Sequence, residues 1–462
     1  MNGSWWKGSV VLLSCIVFCS LLTSNIHRSF LPATTMVDFG EIYFGARVAL
    51  KHQDPYDAGT MLRDFEAAGG RFPADPINGR VMRTVATNAV NLPTAFFLAI
   101  PFALLPWSVA QTLWLILIAG FLTVAAALLW DLGASRAPLI WVCLAGFMLA
   151  DCETLLLFGN VAGIVVGFSV VATWCFFKDR LVLAGVLLFA ISLAVKPHDA
   201  GFVWLYFLLA GGALRKRALQ TLVIAAILGI LTTVWIAQSS PHWPQELHRN
   251  LAAELVRGGV DDPGLSGITS DSIGAIISLQ TALSVFWDNP HFYNPASYLI
   301  AGSLILVWAF ATLRKRATPE SALLALAAIS ALTLLPVYHR PYDAKLLLLA
   351  IPACAMLWSQ GGARRWIALV LTSLGILLTS DSPLILLLAA SDKLAFSPST
   401  LTGKLMTALV LRPTPLALLL LGSFYLWTYI RYRPSSSGVT LHDGAAKKSA
   451  ATSAEPHMGS ER

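Results

Sequence analysis

Long apolar stretches recur along almost the whole chain, and they constrain its fold more than any other feature. They include 107–130, 218–237 and 405–430, and about 20 apolar residues suffice for a helix to cross the hydrocarbon of a bilayer. Hydrophobic residues make up 56% of the chain and charged residues 12%, against about 25% charged residues in a soluble protein. The sequence therefore predicts an all-α, polytopic transmembrane helix bundle. It excludes a soluble enzyme, a disordered protein and a nucleic-acid-binding domain.

Basic clusters orient this bundle, because Lys and Arg accumulate in cytoplasmic loops. Four clusters are expected inside: 215–217, 314–316, 364–365 and 431–433. Alternation then places three loops outside: 238–295, 337–345 and 381–404.

The apolar run at 8–26 is interpreted as an uncleaved signal anchor with a cytoplasmic N-terminus, and a cleaved signal peptide is the alternative. The membrane domain, 1–433, is then expected to have about 12 spans, with 27–90 as its first outer loop. The Ser/Ala/Gly/Lys-rich segment 434–462 is predicted to be a disordered cytoplasmic tail.

The first outer loop carries a helical pattern of apolar residues after Thr35. Asp38 and Glu41 are three residues apart and share one face of this predicted helix. Asp38 has two open interpretations, as the N-cap of the helix or as a functional acid. Asp54-Pro55 and Asp57 are typical of a turn.

Several short polar motifs lie at the ends of the apolar runs, in a fixed order between residues 10 and 430. They are Asp38-Phe39, Asp54-Pro55-Tyr56-Asp57, Asn91-Leu92-Pro93, Leu157-Phe158-Gly159-Asn160-Val161, Leu183-Ala184-Gly185-Val186, Lys196-Pro197 and Pro336-Val337-Tyr338-His339-Arg340-Pro341-Tyr342-Asp343. Together they resemble the polytopic glycosyltransferase C class and, within it, glycosyltransferase family 87. Asn160 stands where that family has Gln.

The resemblance implies a glycosyltransferase of the plasma (inner) membrane with its active site on the outer face. Its donor would be a polyprenyl-phosphate sugar, with mannose the family's best-known sugar, and its acceptor a lipid or glycan. The resemblance assigns the role of general base to Asp38, which would deprotonate the attacking hydroxyl. An inverting transfer needs this one base, whereas a retaining hydrolase needs two carboxylates.

Two polar clusters are expected to bind the donor, because a lipid-phosphate leaving group needs cationic donors in a low-dielectric site. Lys196 interrupts an apolar stretch, where ionisable residues are usually functional, and it could instead pair with Asp199 or Asp151. The 337–345 loop could instead anchor the protein at the interface. The predicted substrate-binding residues are Glu41, Lys196, His198, His339, Arg340, Tyr342 and Lys345.

No resident cofactor or metal is predicted, since the polyprenyl-phosphate sugar is a co-substrate. His242, His248, Asp261 and Asp262 do not have a spacing typical of a metal site. The six cysteines form no Cys-x-x-Cys pattern, so a disulfide framework is not expected.

Two other functions are alternatives to a glycosyltransferase. A transporter or flippase of lipid-linked sugars would also use broken helices and a charged residue at membrane depth. A structural membrane scaffold would leave the buried charges without a role. The acidic start of the large first outer loop favours the enzyme.

Overall fold

The computed structural model describes residues 12–13, 16, 36–72, 76–267, 276–383, 386, 396 and 399–433. Every regular element in these ranges is helical, which confirms the predicted all-α class. All but three residues of the predicted signal anchor, 8–26, lie outside the described residues. The predicted tail, 434–462, also lies outside them.

In chain order the helices are α1 (Val37–Leu50), α2 (Ala58–Ala67), α3 (Pro76–Thr87), α4 (Pro93–Ala103), α5 (Trp107–Leu128), α6 (Pro138–Ala150), α7 (Glu153–Phe158), α8 (Ala162–Lys178), α9 (Val182–Val195), α10 (Pro197–Ala210), α11 (Gly212–Ala237), α12 (Trp243–Leu255), α13 (Leu279–Ser284), α14 (Pro290–Arg314), α15 (Pro319–Leu332), α16 (Ile351–Gln360), α17 (Ala363–Leu378), α18 (Leu401–Met406) and α19 (Thr414–Arg431). Short 3₁₀ segments cover Ala134–Arg136 and Asp343–Ala350, and a π turn covers Thr407–Leu411.

Three of the described helices, α5, α11 and α14, are long and apolar enough to cross a membrane. The number rises to four if Leu401–Leu411 and Thr414–Arg431, which meet at 71°, form one bent span. Five shorter apolar helices, α4, α6, α8, α9 and α15, have 10–17 residues each. The chain is therefore a helical membrane protein, while the total of about 12 spans stays a prediction.

A proline divides the apolar stretch that contains α9 and α10. Helix α9 ends at Val195 and α10 begins at Pro197, so Lys196 alone is non-helical, with φ −140° and ψ 76°. The residue before a proline avoids the α-helical region because the proline ring clashes with it. Proline itself fits the first position of a helix, where no N–H partner is needed. The break places a charged side chain between two apolar helices.

Two of the loops that the sequence predicts to lie outside, 27–90 and 238–295, pack on each other through their described residues. The Asn250 Nδ2 of α12 donates to the carbonyls of Tyr56 (3.2 Å) and Ala89 (3.0 Å). The rings of Trp243 and Tyr56 stack with centroids 6.0 Å apart. Because a buried amide that loses its partner costs about 1–3 kcal/mol, Asn250 fixes α12 over the first outer loop.

Candidate active site

Helix α1 holds Asp38 in its first turn. The N-cap is Met36, with φ 66° and ψ 46°, so the N-cap interpretation of Asp38 is wrong. The backbone N–H of Met36 donates to the Leu157 carbonyl at 2.8 Å. The Phe39 ring stacks on Trp114 with centroids 4.6 Å apart. These contacts fix the start of α1, and hence Asp38, against the rest of the bundle.

Asn160 is the hydrogen-bond partner of Asp38. Its Nδ2 donates to Asp38 Oδ2 at 2.7 Å, and its Oδ1 accepts from the Ala162 N–H at 2.8 Å. Burial raises the pKa of Asp38 to about 6, while the Asn160 hydrogen bond and the positive charges of Arg340 and Lys196 lower it. The result is a half-buried carboxyl group whose pKa lies above its ordinary value.

Glu41 lies one turn further along α1 and has different partners. Its Oε1 accepts from the backbone N–H groups of Val90 (2.7 Å) and Asn91 (3.1 Å). The side chain is buried, and burial raises its pKa to about 8 against the opposing hydrogen bonds from Asn91 and Val90. Glu41 therefore ties the segment before α4 to α1.

Lys196 joins the α9–α10 break to the 337–345 loop. Its Nζ forms an ion pair with Asp343 and lies 3.1 Å from Asp199 Oδ2. It also lies 5.3 Å from the centroid of the Tyr342 ring. The pairing with Asp199 considered from the sequence is confirmed; the second carboxylate is Asp343, and no contact with Asp151 is found among the described residues.

Arg340 connects the same loop to the 238–295 segment. Its Nη2 donates to Asp261 Oδ1 at 2.9 Å and to the Val260 carbonyl at 3.1 Å. Its Nε donates to the Tyr338 hydroxyl. The Arg340 N–H donates to Asp343 Oδ2 at 2.7 Å. The guanidinium group is thus fixed and largely buried.

Two histidines converge on Asp199. The distance from His339 Nε2 to Asp199 Oδ1 is 3.4 Å, and that from His198 Nε2 to the same oxygen is 3.7 Å. His339 is buried, whereas the His198 side chain is 40% exposed. Together these three residues are a group with metal-ligating atoms within 4.8 Å of one another.

Lys345 belongs to a different cluster. Its Nζ donates to the Asp151 carbonyl at 2.8 Å. The Asp151 carboxylate accepts from Ser382 Oγ at 2.8 Å, and Asp381 Oδ2 accepts from the Thr154 N–H at 2.8 Å. Lys345 therefore holds the α6–α7 junction against the Asp343–Ala350 segment, and the two aspartates hold the same junction against the residues after α17. Of the predicted site residues, it lies apart from the others.

The structure thus brings Lys196 and His198 of the α9–α10 break together with His339 and Tyr342 of the 337–345 loop. Arg340 of the same loop and Lys196 are close enough to Asp38 to lower its pKa. Sequence reasoning did not assign Asn160, Tyr338 or Asp343 to the site, and it considered Asp261 only for a metal. Asn160 and Asp38 are 122 residues apart, and a local pattern cannot reveal a contact of that separation. The one available signal was that Asn160 lies in a polar motif between apolar runs.

The arrangement combines the Asp38 carboxyl group, which pairs with no cation among the described residues, with a cluster in which Lys196 and Arg340 are paired with aspartates. Such a site can accept a proton from one bound group and stabilise negative charge that develops on another.

Comparison with known proteins gives a family for the chain. No curated protein and no solved structure matches it. The model of glycosyltransferase family 87 matches residues 90–337, which is more than half of the 462 residues. The match includes Asn160 and Lys196, while Asp38 and His339 lie outside it. The chain therefore belongs to glycosyltransferase family 87 and is a membrane glycosyltransferase.

Proposed function

We propose that the protein transfers a sugar, mannose in the first instance, from a polyprenyl-phosphate donor to a lipid or glycan acceptor. The reaction takes place at the outer face of the plasma membrane and inverts the anomeric carbon. The observation that carries the proposal is the position of Asp38. Its carboxyl group is held by Asn160 and lies within the electrostatic influence of Lys196 and Arg340.

In this proposal, Asp38 is the general base. With a pKa of about 6, it is mostly ionised at pH 7 and can accept a proton, and a base works best when its pKa lies near the working pH. The acceptor hydroxyl loses its proton to Asp38 as its oxygen bonds to the anomeric carbon. The bond from that carbon to the phosphate oxygen breaks, and the lipid phosphate leaves with the electron pair. One displacement therefore inverts the anomeric carbon.

The same proposal assigns the leaving phosphate to the cations of the α9–α10 break and the 337–345 loop. Lys196 and Arg340 supply donors in a largely buried setting, where charge stabilisation is stronger than in water, and His198 and His339 adjoin the Asp199 carboxylate beside Lys196. Tyr342 lies against the Lys196 ammonium and supports its position. Glu41 and Lys345 are proposed to position other parts of the protein and not to contact substrate, because their polar atoms bind the protein's own backbone.

The test uses purified protein in lipid nanodiscs with radiolabelled polyprenyl-phosphate sugars and total membrane lipid as acceptor. Matched nucleotide sugars serve as control donors. We expect label in a new product only with a polyprenyl-phosphate donor, because the resemblance implies a lipid-linked donor and the elements that the structure describes are all helical. Transfer from a nucleotide sugar would contradict the proposed donor. If labelled donor crosses proteoliposome membranes unchanged and no product forms, the transporter alternative is favoured instead.

A further inference from the structure

His198, Asp199 and His339 form the His–Asp–His group, which the proposed reaction does not fully explain. His339 Nδ1 lies 3.0 Å from the carbonyl oxygen of Val337. A carbonyl oxygen can only accept, so this ring nitrogen carries the proton and donates it. In a neutral ring, Nε2 then has a free lone pair. That lone pair faces Asp199 Oδ1 at 3.4 Å, which is also an acceptor.

Two hydrogen-bond acceptors that face each other destabilise the folded protein when both are buried. His339 is 0% exposed and Asp199 is 1% exposed. Among the residues that the structure describes, His339 Nε2 and Asp199 Oδ1 have no hydrogen bond of good geometry, whereas Asp199 Oδ2 has the Lys196 ammonium at 3.1 Å. Buried polar atoms of this kind almost always have a partner. Something positively charged between them would remove the conflict.

The spacing suits a metal ion. Four ligands around Zn²⁺ at bond lengths of about 2.0–2.1 Å lie about 3.3 Å from one another in a tetrahedron. The two imidazole nitrogens lie 3.4 Å and 3.7 Å from Asp199 Oδ1. All three ligand atoms are within 4.8 Å of one another. Small side-chain shifts would therefore complete three corners of the tetrahedron.

The surrounding charges also suit a divalent ion. Lys196 lies on the Oδ2 side of Asp199, at 3.1 Å, and pairs with Asp343 as well. One ammonium and two carboxylates leave a net charge of −1 with both imidazoles neutral. Lys196 therefore contacts one oxygen of Asp199 while the other remains available. A ligating histidine usually donates its second N–H to a carbonyl or carboxylate, and a ligating carboxylate usually has a further partner; His339 and Asp199 meet these two conditions.

We propose that His198 Nε2, Asp199 Oδ1 and His339 Nε2 bind one divalent transition-metal ion, with Zn²⁺ the best match. Two nitrogens and one oxygen favour such an ion over Mg²⁺ or Ca²⁺, which prefer oxygen ligands. Three protein ligands leave a coordination position open, as in catalytic zinc sites, on the side where His198 is exposed. The proposal replaces the expectation of no metal, which considered only His242, His248 and their neighbouring acids. Metal binding can be measured without the sugar donor or the acceptor of the proposed transfer.

The test measures metal binding without an activity assay. Full-length protein in nanodiscs is stripped with a chelator, incubated with Zn²⁺, desalted and analysed for bound zinc by mass spectrometry. We expect about one zinc per chain in the wild type and at least a tenfold loss in His339→Gln. His198→Gln is the second variant, since this exposed side chain can change without disturbing a packed core. His248→Gln, at an exposed histidine outside the group, should bind as the wild type does.

Co²⁺ loading adds a spectroscopic check, because four-coordinate Co²⁺ absorbs visible light strongly. We expect this absorption in the wild type and in His248→Gln, and its loss in His339→Gln and His198→Gln. Thermal unfolding of each variant controls for folding. The proposal is overturned if the wild type takes up neither ion, or if the folded His339→Gln and His198→Gln variants both bind like the wild type. A proton on His339 would then be the charge that joins it to Asp199.

Discussion

Asp38 and Glu41 lie one helical turn apart, but their carboxyl groups have different surroundings. Asp38 has one side-chain partner, Asn160, and is half-buried. Glu41 is buried and accepts from the Val90 and Asn91 backbone. The two acids share a helix face as the sequence predicted, but the contacts of Glu41 are those of a structural residue.

Glu41→Gln should therefore keep transfer activity and alter the pH dependence of stability. The folded-state pKa of about 8 lies above the ordinary value of 4.5, so the stabilising contribution of Glu41 is complete below pH 4.5 and declines as the pH rises towards 8. Gln does not titrate. The difference in melting temperature, variant minus wild type, should thus be larger at pH 8 than at pH 5.

The control for this prediction is Glu66→Gln, at an exposed position of the same loop, where no such trend is expected. Loss of transfer in a folded Glu41→Gln variant would show that the carboxylate binds substrate after all.

Substitution of Arg340 tests the proposed contact of its side chain with the donor phosphate. Arg340→Ala should raise the donor KM by about 10- to 100-fold, because hydrogen bonds to charged groups contribute about 1.5–3 kcal/mol. Arg257→Ala is the matched control, since Arg257 also pairs with an aspartate, Asp288, at 2.6 Å, and is more exposed. Steady-state kinetics over a range of donor concentrations decides the matter. Equal KM values for both variants would remove Arg340 from the donor site.

The site residues differ in how well the sequence could predict them. Lys196 was recognisable because a charge within an apolar stretch is expensive and has to be paired. Its partner Asp199 is only three residues away. Asn160, Asp261 and Asp343 meet the site through tertiary packing, and no local periodicity encodes such contacts.

At the scale of elements, the turn between α7 and α8 positions α1. Gly159 has φ +64°, and a Cβ atom there would lie 2.5 Å from Met36 Cε and 2.9 Å from Phe39 Cβ. Its carbonyl accepts from Trp114 Nε1 at 2.8 Å. Only glycine combines this backbone conformation with so close an approach.

Gly159→Ala should therefore displace the start of α1 and reduce transfer about tenfold or more, because a misplacement of about 1 Å can cost 10²-fold in rate. Gly120→Ala in α5 is the control, since a Cβ atom there meets nothing within 4 Å. The measurements are the transfer rate and the melting temperature. Full activity in Gly159→Ala would mean that the position of Asp38 does not depend on this turn.

The short helices were only partly predictable. Helix α4 begins at Pro93, a residue that favours the first position of a helix, and contains Pro101. By contrast, the apolar composition alone did not reveal the 71° bend between the two C-terminal segments. Such a bend depends on the neighbours against which each half packs.

At the scale of the whole molecule, the basic clusters predict which face of the bundle is cytoplasmic. Lys216→Cys should react with a membrane-impermeant maleimide only after cells are opened, whereas Gln245→Cys should react in intact cells. Both positions are exposed. The unchanged protein is the control for its native cysteines. Labelling in the opposite order would place α12, and with it the site, on the cytoplasmic side.

Composition predicted the membrane class because a membrane protein has an apolar surface as well as an apolar core. The number of spans depends instead on where the helices break. Several apolar runs became helices of 10–17 residues, too short to be assigned as spans by length. Hydropathy is therefore a good guide to class and a weaker guide to the path of the chain.

The central claim is that Asp38 is the general base, and the initial rate of sugar transfer by Asp38→Asn tests it most directly. Asn keeps the shape of the side chain but cannot accept the proton, and general base catalysis contributes about 10²–10⁴-fold. Asp57→Asn is the matched control, because Asp57 caps α2 by accepting from the Thr60 N–H at 2.8 Å, and Asn can cap equally well.

We expect a rate at least about 10²-fold lower for Asp38→Asn and a near wild-type rate for Asp57→Asn, with both proteins folded. If the rate of Asp38→Asn stays within a few-fold of the wild type, Asp38 is not the general base.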